Sequence, residues 1–103
     1  MIKHIVMWQF KEYAQGKTKQ ENLEWAKAQL EALPKVIPCL KKMEVHLNCN
    51  DKPGMYDAVL ESEFNSLDDL FTYRKHPDHK MISEYITRAL PQRHSAIYSE
   101  IIL

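Results

Sequence analysis

Four stretches of the chain have the apolar pattern of a β-strand, two by alternating apolar and polar residues and two as largely apolar runs. Residues 2–10 are rich in β-branched and aromatic side chains and are largely apolar on both faces, as in a strand covered on both sides. Residues 43–49 and 55–64 carry their apolar side chains mainly on one face. Residues 95–103 close the chain with a further apolar run, so the pattern predicts four strands.

Helical spacing marks two segments between these strands. From residue 18 or 19 to about residue 33, apolar side chains recur every three or four positions, and Pro34 ends the segment. The second segment begins after Ser66, a residue suited to an N-cap, and is interrupted by Pro77. Because a residue before proline is pushed out of the α region, we expect one helix to end near His76 and another to span residues 79–90.

The predicted order is β-α-β-β-α-β, which is the ferredoxin-like arrangement of the α+β class. It has a four-stranded antiparallel sheet with the helices on one face. The 103 residues are the size of one compact domain, so we expect residues 1–103 to fold as a single domain.

The other face of such a sheet has no helical cover. Here it carries Ile5, Met7 and Val59 near its centre. An apolar patch of this kind predicts a partner surface, and a second copy of the chain packed sheet against sheet is the simplest one. We therefore predict a homodimer through the outer sheet face.

Composition excludes several classes of partner. The 14 basic and 14 acidic residues balance with His neutral, and no basic stripe indicates a nucleic-acid groove. No apolar run reaches the ~18 residues needed to span a membrane. The N-terminal residues already read as a strand, so a cytoplasmic location is the expectation. Cys39 and Cys49 are expected to be free thiols.

Candidate chemistry is concentrated around the predicted helix break. Tyr73, His76 and His79 lie within seven residues, and the break can turn Tyr73 and His79 toward one cavity. Histidine titrates near neutral pH and a phenol can hydrogen-bond a developing oxyanion, so this pair suits proton transfer. In the alternative interpretation, Tyr73 packs its ring and the histidines cap helix ends.

A metal site is a further alternative at the same place. His76, Asp78 and His79 are three potential ligands around the proline. Because three local candidates are few for a complete coordination shell, we predict no metal.

Several short motifs in this chain resemble those of a known family. The sequence is similar to the stress-responsive A/B-barrel (Dabb) domain family over nearly its whole length. The motifs are Ile2-Lys3-His4-Ile5-Val6, Ile37-Pro38, Tyr56-Asp57, Ser62-Glu63-Phe64 and Tyr73-x-x-His76-Pro77-x-His79.

The resemblance implies a dimeric α+β barrel and, from a cofactor-independent polyketide cyclase in the family, a possible activity. In that enzyme a tyrosine and a histidine matching Tyr73 and His79 perform an aldol closure, and a strand histidine matching His4 lines the pocket. The implied ligand is a small apolar or aromatic carbonyl compound, with no cofactor. We assign the lining of the implied pocket to residues of the inner sheet face and its helical cover: Val6, Trp8, Leu30, Met43, Ala58, Leu60 and His76.

Two other functions stay open beside the cyclase-like one. One is a non-catalytic dimer that binds a small molecule or confers stress tolerance. The other is a monooxygenase of the kind seen on similar barrels, in which the substrate itself activates oxygen. Trp8 matters to this choice, since its bulk competes with a ligand for space in the pocket.

Overall fold

Among the described residues, the main sheet has four strands, and every neighbouring pair is antiparallel. The structure is a computed structural model and describes residues 1–48, 55–90 and 98–103. The α+β, ferredoxin-like prediction is confirmed. The strands of the main sheet are β1 (Ile2–Trp8), β4 (Lys42–Leu47), β5 (Ala58–Phe64) and β6 (Tyr98–Ile102). They lie side by side in the order β4-β5-β1-β6.

Strand register brings the apolar inner positions into line across the sheet. Val6 lies opposite Leu60, and Leu60 lies opposite Val45 on the other side. All three side chains are buried. Cross-strand neighbours of this kind stabilise a sheet because they pack against one another and against the helices above them.

Helix α1 (Lys19–Ala32) follows the prediction closely and begins with a capping box. The Thr18 hydroxyl accepts a hydrogen bond from the Glu21 N–H at 3.2 Å, and the Glu21 carboxylate accepts one from the Thr18 N–H at 3.0 Å. A short 3-10 turn (Leu33–Lys35) containing Pro34 ends it. The helix buries Leu23, Ala26 and Leu30.

The second helical segment is broken where the sequence predicts. Helix α2 (Leu67–Lys75) starts at Ser66, whose hydroxyl accepts from the Asp69 N–H, and it stops at His76, which is extended. Helix α3 (Pro77–Ala89) begins at the proline itself and not at His79. The expected start was two residues late because proline at the first helical position has no N–H to leave unsatisfied.

A small hairpin replaces part of the predicted polar connection before α1. Strands β2 (Tyr13–Ala14) and β3 (Lys17–Thr18) pair across Gln15 and Gly16, which have φ of 54° and 76°. Glycine takes such a φ without steric cost. The Asn22 amide donates to the Ala14 carbonyl at 3.1 Å and ties the hairpin to α1.

Two predicted strands are shorter than expected at the end where they meet. Strand β1 stops at Trp8 and strand β5 starts at Ala58. The Asp57 carboxylate explains both boundaries, since it accepts from the Phe10 N–H at 2.9 Å and lies 3.3 Å from the Lys19 ammonium. A side chain thus takes the place of the next ladder bond.

Other predictions fall partly outside the described residues. These are the end of the second predicted strand at Cys49 and the beginning of the last at residues 95–97. Cys39 is a free, half-buried thiol whose Sγ lies 3.4 Å from the Asp69 carbonyl oxygen. Among the described residues, no helix combines the length and the apolar character needed to cross a bilayer.

In a single chain, none of the described helices packs against the outer sheet face. Ile5, Met7 and Val59 are half-buried there, and Ile101 is 42% exposed beside Ile5. These apolar side chains form one continuous patch, because Ile5 lies opposite Ile101 and Met7 lies opposite Val59.

Candidate functional site

A cavity of about 290 Å³ lies between the inner sheet face and the helices. Seven of the residues proposed from the sequence line it: His4, Val6, Trp8, Leu30, Leu60, Tyr73 and His79. Five lining residues were missed by the sequence analysis: Arg74, Ser83, Ile86, Thr87 and Glu100.

Strand β1 supplies one wall of the cavity through its alternating inward positions. His4, Val6 and Trp8 are all buried on this face. Trp8 is 1% exposed and packs beside Phe10, with ring centroids 6.0 Å apart. The indole therefore forms part of the wall and leaves the cavity unfilled.

The helix break brings Tyr73 and His79 together, as predicted. Tyr73 is in the last turns of α2, and His79 is the third residue of α3. Their ring centroids are 4.2 Å apart with the planes tilted by 48°. Tyr73 is 1% exposed and also packs on Phe64, whose ring centroid is 5.2 Å away.

One hydrogen bond determines which nitrogen of His79 can act as a base. Its Nδ1 lies 3.2 Å from the carbonyl oxygen of Arg74. Because a carbonyl oxygen can only accept, Nδ1 carries the hydrogen in the neutral ring. The lone pair is then on Nε2, which is the tautomer that a general base needs.

Burial keeps the two cavity histidines neutral. It lowers the pKa of His79 below the ordinary value of 6.5, against the opposing effect of the Arg74 carbonyl. Burial also lowers the pKa of His4, although the Glu100 carboxylate acts in the other direction. A neutral imidazole at neutral pH is able to take up a proton.

His4 belongs to a polar chain that crosses the cavity wall. Its Nε2 lies 2.8 Å from Glu100 Oε1, and the Arg74 guanidinium donates to the same oxygen. Glu100 enters from β6, where it lies opposite Val6. The signal for Glu100 in the sequence was a single carboxylate within an otherwise uncharged terminal run.

Three proposed lining residues are not brought to the cavity. Met43 and Ala58 are buried in the core. His76 is the N-cap of α3, and its Nδ1 accepts from the Asp78 N–H at 3.1 Å. His76 therefore caps a helix in the structure, as expected in the alternative interpretation in which the histidines cap helix ends.

Two of the candidate metal ligands at the helix break use Nδ1 for hydrogen bonds to the backbone: His76 accepts from the Asp78 N–H, and His79 donates to the Arg74 carbonyl. Within the described part of the chain, a different trio has ligand atoms within 4.8 Å of one another: Glu44, His46 and Glu61. These residues lie on β4 and β5, and Glu44 and His46 are exposed.

The fold and the cavity together define a ferredoxin-like α+β domain with two neutral histidines and a tyrosine between sheet and helices. The chain belongs to the stress-responsive A/B barrel domain (Dabb) family, whose family model matches residues 2–98. The resemblance seen in the sequence motifs is confirmed. No protein with a curated description matches the chain significantly.

Solved structures with the same fold differ in what their descriptions say of function. A dimeric ferredoxin-like protein of unknown function from Bacteroides fragilis is 29% identical, with a TM-score of 0.81 over 99% of this chain and 93% of that one. The hydroxynitrile lyase from Passiflora edulis is 17% identical, with a TM-score of 0.71 over 99% and 92%. An antibiotic biosynthesis monooxygenase is 13% identical, with a TM-score of 0.71 over 100% and 96%.

Proposed function

We propose that the cavity is an active site for proton transfer next to a carbonyl group, with His79 as the base and Tyr73 as the hydrogen-bond donor. The observation that carries the proposal is the His79 tautomer, since Nδ1 is bound to the Arg74 carbonyl and Nε2 is left as the basic nitrogen. Tyr73 adjoins it at 4.2 Å between ring centroids, and both line the same cavity.

The reaction step balances without a cofactor. His79 Nε2 takes a proton from the carbon next to the carbonyl, and the C–H electron pair moves into the enolate. The phenol of Tyr73 donates a hydrogen bond to the enolate oxygen, where negative charge develops. The imidazolium then returns the proton to carbon or, in a cyclase-like aldol reaction, to the oxygen of a second carbonyl that the enolate carbon has attacked.

The walls of the cavity favour a small apolar or aromatic carbonyl compound. Val6, Trp8, Leu30, Leu60 and Ile86 supply an apolar surface. Such a surface excludes water around the reacting carbon and strengthens electrostatic interactions inside the site. His4 adjoins the reacting pair, and we assign it a role in orienting the substrate.

The protein that acts is proposed to be a homodimer in the cytoplasm. The apolar patch around Ile5 and Met7 supports the dimer, and so does the dimeric description of the Bacteroides fragilis structure. A free thiol such as Cys39 suits a reducing compartment.

A non-catalytic binding protein is the second candidate. The near-complete burial of Tyr73, which is 1% exposed, favours it, because a covered ring is also what a packing residue requires. A binding protein would take the same ligands into the cavity without changing them.

A substrate screen separates the two candidates. β-Polyketo thioesters and related activated carbonyl compounds are incubated with the native protein, His79→Ala and Tyr73→Phe. An enzyme of the proposed kind turns over at least one compound and loses ~10²-fold or more of its rate in His79→Ala. Tyr73→Phe keeps the ring and lowers the rate by removing the hydrogen bond to the enolate. Binding without turnover would favour the second candidate, and turnover unchanged in His79→Ala would mean that another group is the base.

A further inference from the structure

We propose that Glu100 makes the cavity selective for neutral ligands by neutralising Arg74. The inference rests on the proposed function for the kind of ligand, a small carbonyl compound. It goes beyond that function by separating two chemical classes of nearly equal size and shape: neutral ketones, which the site accepts, and carboxylates, which it rejects.

The charge of the cavity lining is balanced by one contact. Among the described lining residues, Arg74 and Glu100 are the ones that carry a full charge, and the Arg74 guanidinium donates to Glu100 Oε1. His4 and His79 add no positive charge near neutral pH because burial lowers the pKa of both rings. The lining thus has no uncompensated cation to attract an anionic ligand.

Arg74 and Glu100 both line the cavity, so a bound ligand is exposed to the charge of this ion pair. Arg74 comes from the last turn of α2 and Glu100 from β6, so the ion pair joins a helix to the sheet beside the cavity. A ligand carboxylate could bind Arg74 only by displacing Glu100, and both carboxylates would then compete for one guanidinium. A neutral ketone meets neither like-charge repulsion nor the loss of the ion pair.

Glu100 also fixes the tautomer of His4, which burial keeps neutral. Its Oε1 lies 2.8 Å from His4 Nε2, so the neutral ring donates from Nε2 and leaves Nδ1 without a hydrogen. Nδ1 is buried and has no hydrogen-bond partner among the described residues. Protonation of His4 would place an unpaired N–H there, which is costly, and this supports a site that stays neutral.

A ligand with one ring is of a size that the cavity can hold. The cavity volume of about 290 Å³ is at the lower end of the range that ligand pockets have. Acetophenone and benzoate are therefore suitable probes, because both have one ring and one carbonyl carbon and they differ chiefly in charge.

The experiment compares the two probes by chemical-shift titration of the ¹⁵N-labelled full-length protein, a measurement that needs no turnover. The native protein should bind acetophenone and prefer it to benzoate by at least about tenfold in Kd, the effect of one uncompensated charge at short range. Glu100→Gln keeps an acceptor for Arg74 and His4 but removes the charge. In this variant benzoate should bind at least about tenfold more tightly than to the native protein, while acetophenone affinity stays within about twofold.

Two further variants keep the result interpretable. Arg74→Gln combined with Glu100→Gln restores a neutral lining, so the gain in benzoate affinity should disappear. Arg74→Gln alone leaves Glu100 uncompensated and should weaken benzoate binding below the native level. Amide spectra recorded without ligand verify that each variant is folded.

Three results would overturn the proposal. They are a native protein that binds benzoate as tightly as acetophenone, an unchanged benzoate affinity in Glu100→Gln, and no binding of either probe to the native protein. The proposed proton-transfer function is tested separately. It is wrong if the protein prefers acetophenone to benzoate as predicted but turns over no carbonyl compound.

Discussion

At the scale of single residues, His79 shows how local structure prepares a side chain for chemistry. The helix break places it at the third position of α3. The Arg74 carbonyl oxygen lies 3.2 Å from its Nδ1, and this hydrogen bond fixes the tautomer of the ring. Burial keeps it neutral by lowering its pKa. Each of these effects is structural in origin, and together they leave one basic nitrogen beside the Tyr73 ring.

The lowered pKa values of His4 and His79 predict how stability depends on pH. Below the ordinary value of 6.5, the unfolded chain takes up protons on these rings before the folded chain does. The free energy of unfolding should therefore fall as pH decreases from 7.5 to 5.5, and these two groups should cause little change above 7.5. Urea unfolding at several pH values measures this.

A matched variant isolates the contribution of His79. His79→Asn retains a donor for the Arg74 carbonyl but has no titratable ring, so the decrease between pH 7.5 and 5.5 should become smaller. Glu21 and Glu31 have lowered pKa values as well, but their effect is confined to pH values below about 4.5. Equal stability of the native protein at pH 5.5 and 7.5 would contradict the prediction.

At the scale of the elements, the free edge of β4 is covered by side chains of α1. The Lys27 ammonium donates to the Val45 carbonyl at 2.6 Å, and the Val45 N–H donates to the Glu31 carboxylate at 3.0 Å. Lys27 and Glu31 also pair with each other at 2.8 Å. Unpaired backbone groups on an edge strand are a template for aggregation, and this contact occupies them.

Removing that cover should cost stability and solubility. Lys27→Ala combined with Glu31→Ala leaves a partly buried N–H and carbonyl without their partners, so we expect a loss of about 1–3 kcal/mol. Thermal unfolding and light scattering during heating measure the two effects. The control is Glu84→Ala combined with Arg88→Ala, an exposed pair at 3.9 Å that should change stability by less than about 0.5 kcal/mol. Equal effects of the two double variants would contradict this account of the edge.

The sequence predicts the elements well where short-range rules decide them. Ser66 locates the start of the second helical segment, Pro77 locates its break, and the apolar patterns locate the strands of the sheet. The Gln15–Gly16 hairpin and the strand ends at Asp57 were missed, because they depend on a two-residue turn and a side-chain contact over 47 positions.

The cavity could be predicted only in part for the same reason. Tyr73 and His79 are close in sequence, so a local break predicts their meeting. Glu100 reaches His4 across 96 positions, and whether Ser83, Ile86 and Thr87 face the cavity depends on how α3 packs. Met43 and Ala58 were placed in the lining because their side of the strand was known but their distance from the helix break was not.

At the scale of the whole molecule, the apolar patch on the outer sheet face predicts a dimer. Met7→Lys places a charge at the centre of this patch and should shift the protein to a monomer at micromolar concentration, since burial of an unpaired ammonium is unfavourable. Light scattering coupled to size-exclusion chromatography measures the mass. Ala28→Lys adds the same charge at an exposed position of α1 and should leave the dimer intact. A monomeric native protein would show that the outer face is not a dimer interface.

The central claim is that His79 transfers a proton from the carbon next to a carbonyl, and hydrogen–deuterium exchange tests it most directly. Phenylacetone is incubated in D₂O with the native protein, His79→Ala and His76→Asn, and proton NMR follows the loss of the hydrogens next to its carbonyl. His76→Asn preserves the cap of α3 and changes a ring outside the cavity lining. The native protein and His76→Asn should accelerate exchange over buffer, and His79→Ala should lose ~10²-fold or more of that acceleration. Exchange in the native protein no faster than in buffer, or an undiminished rate in His79→Ala, would contradict the claim.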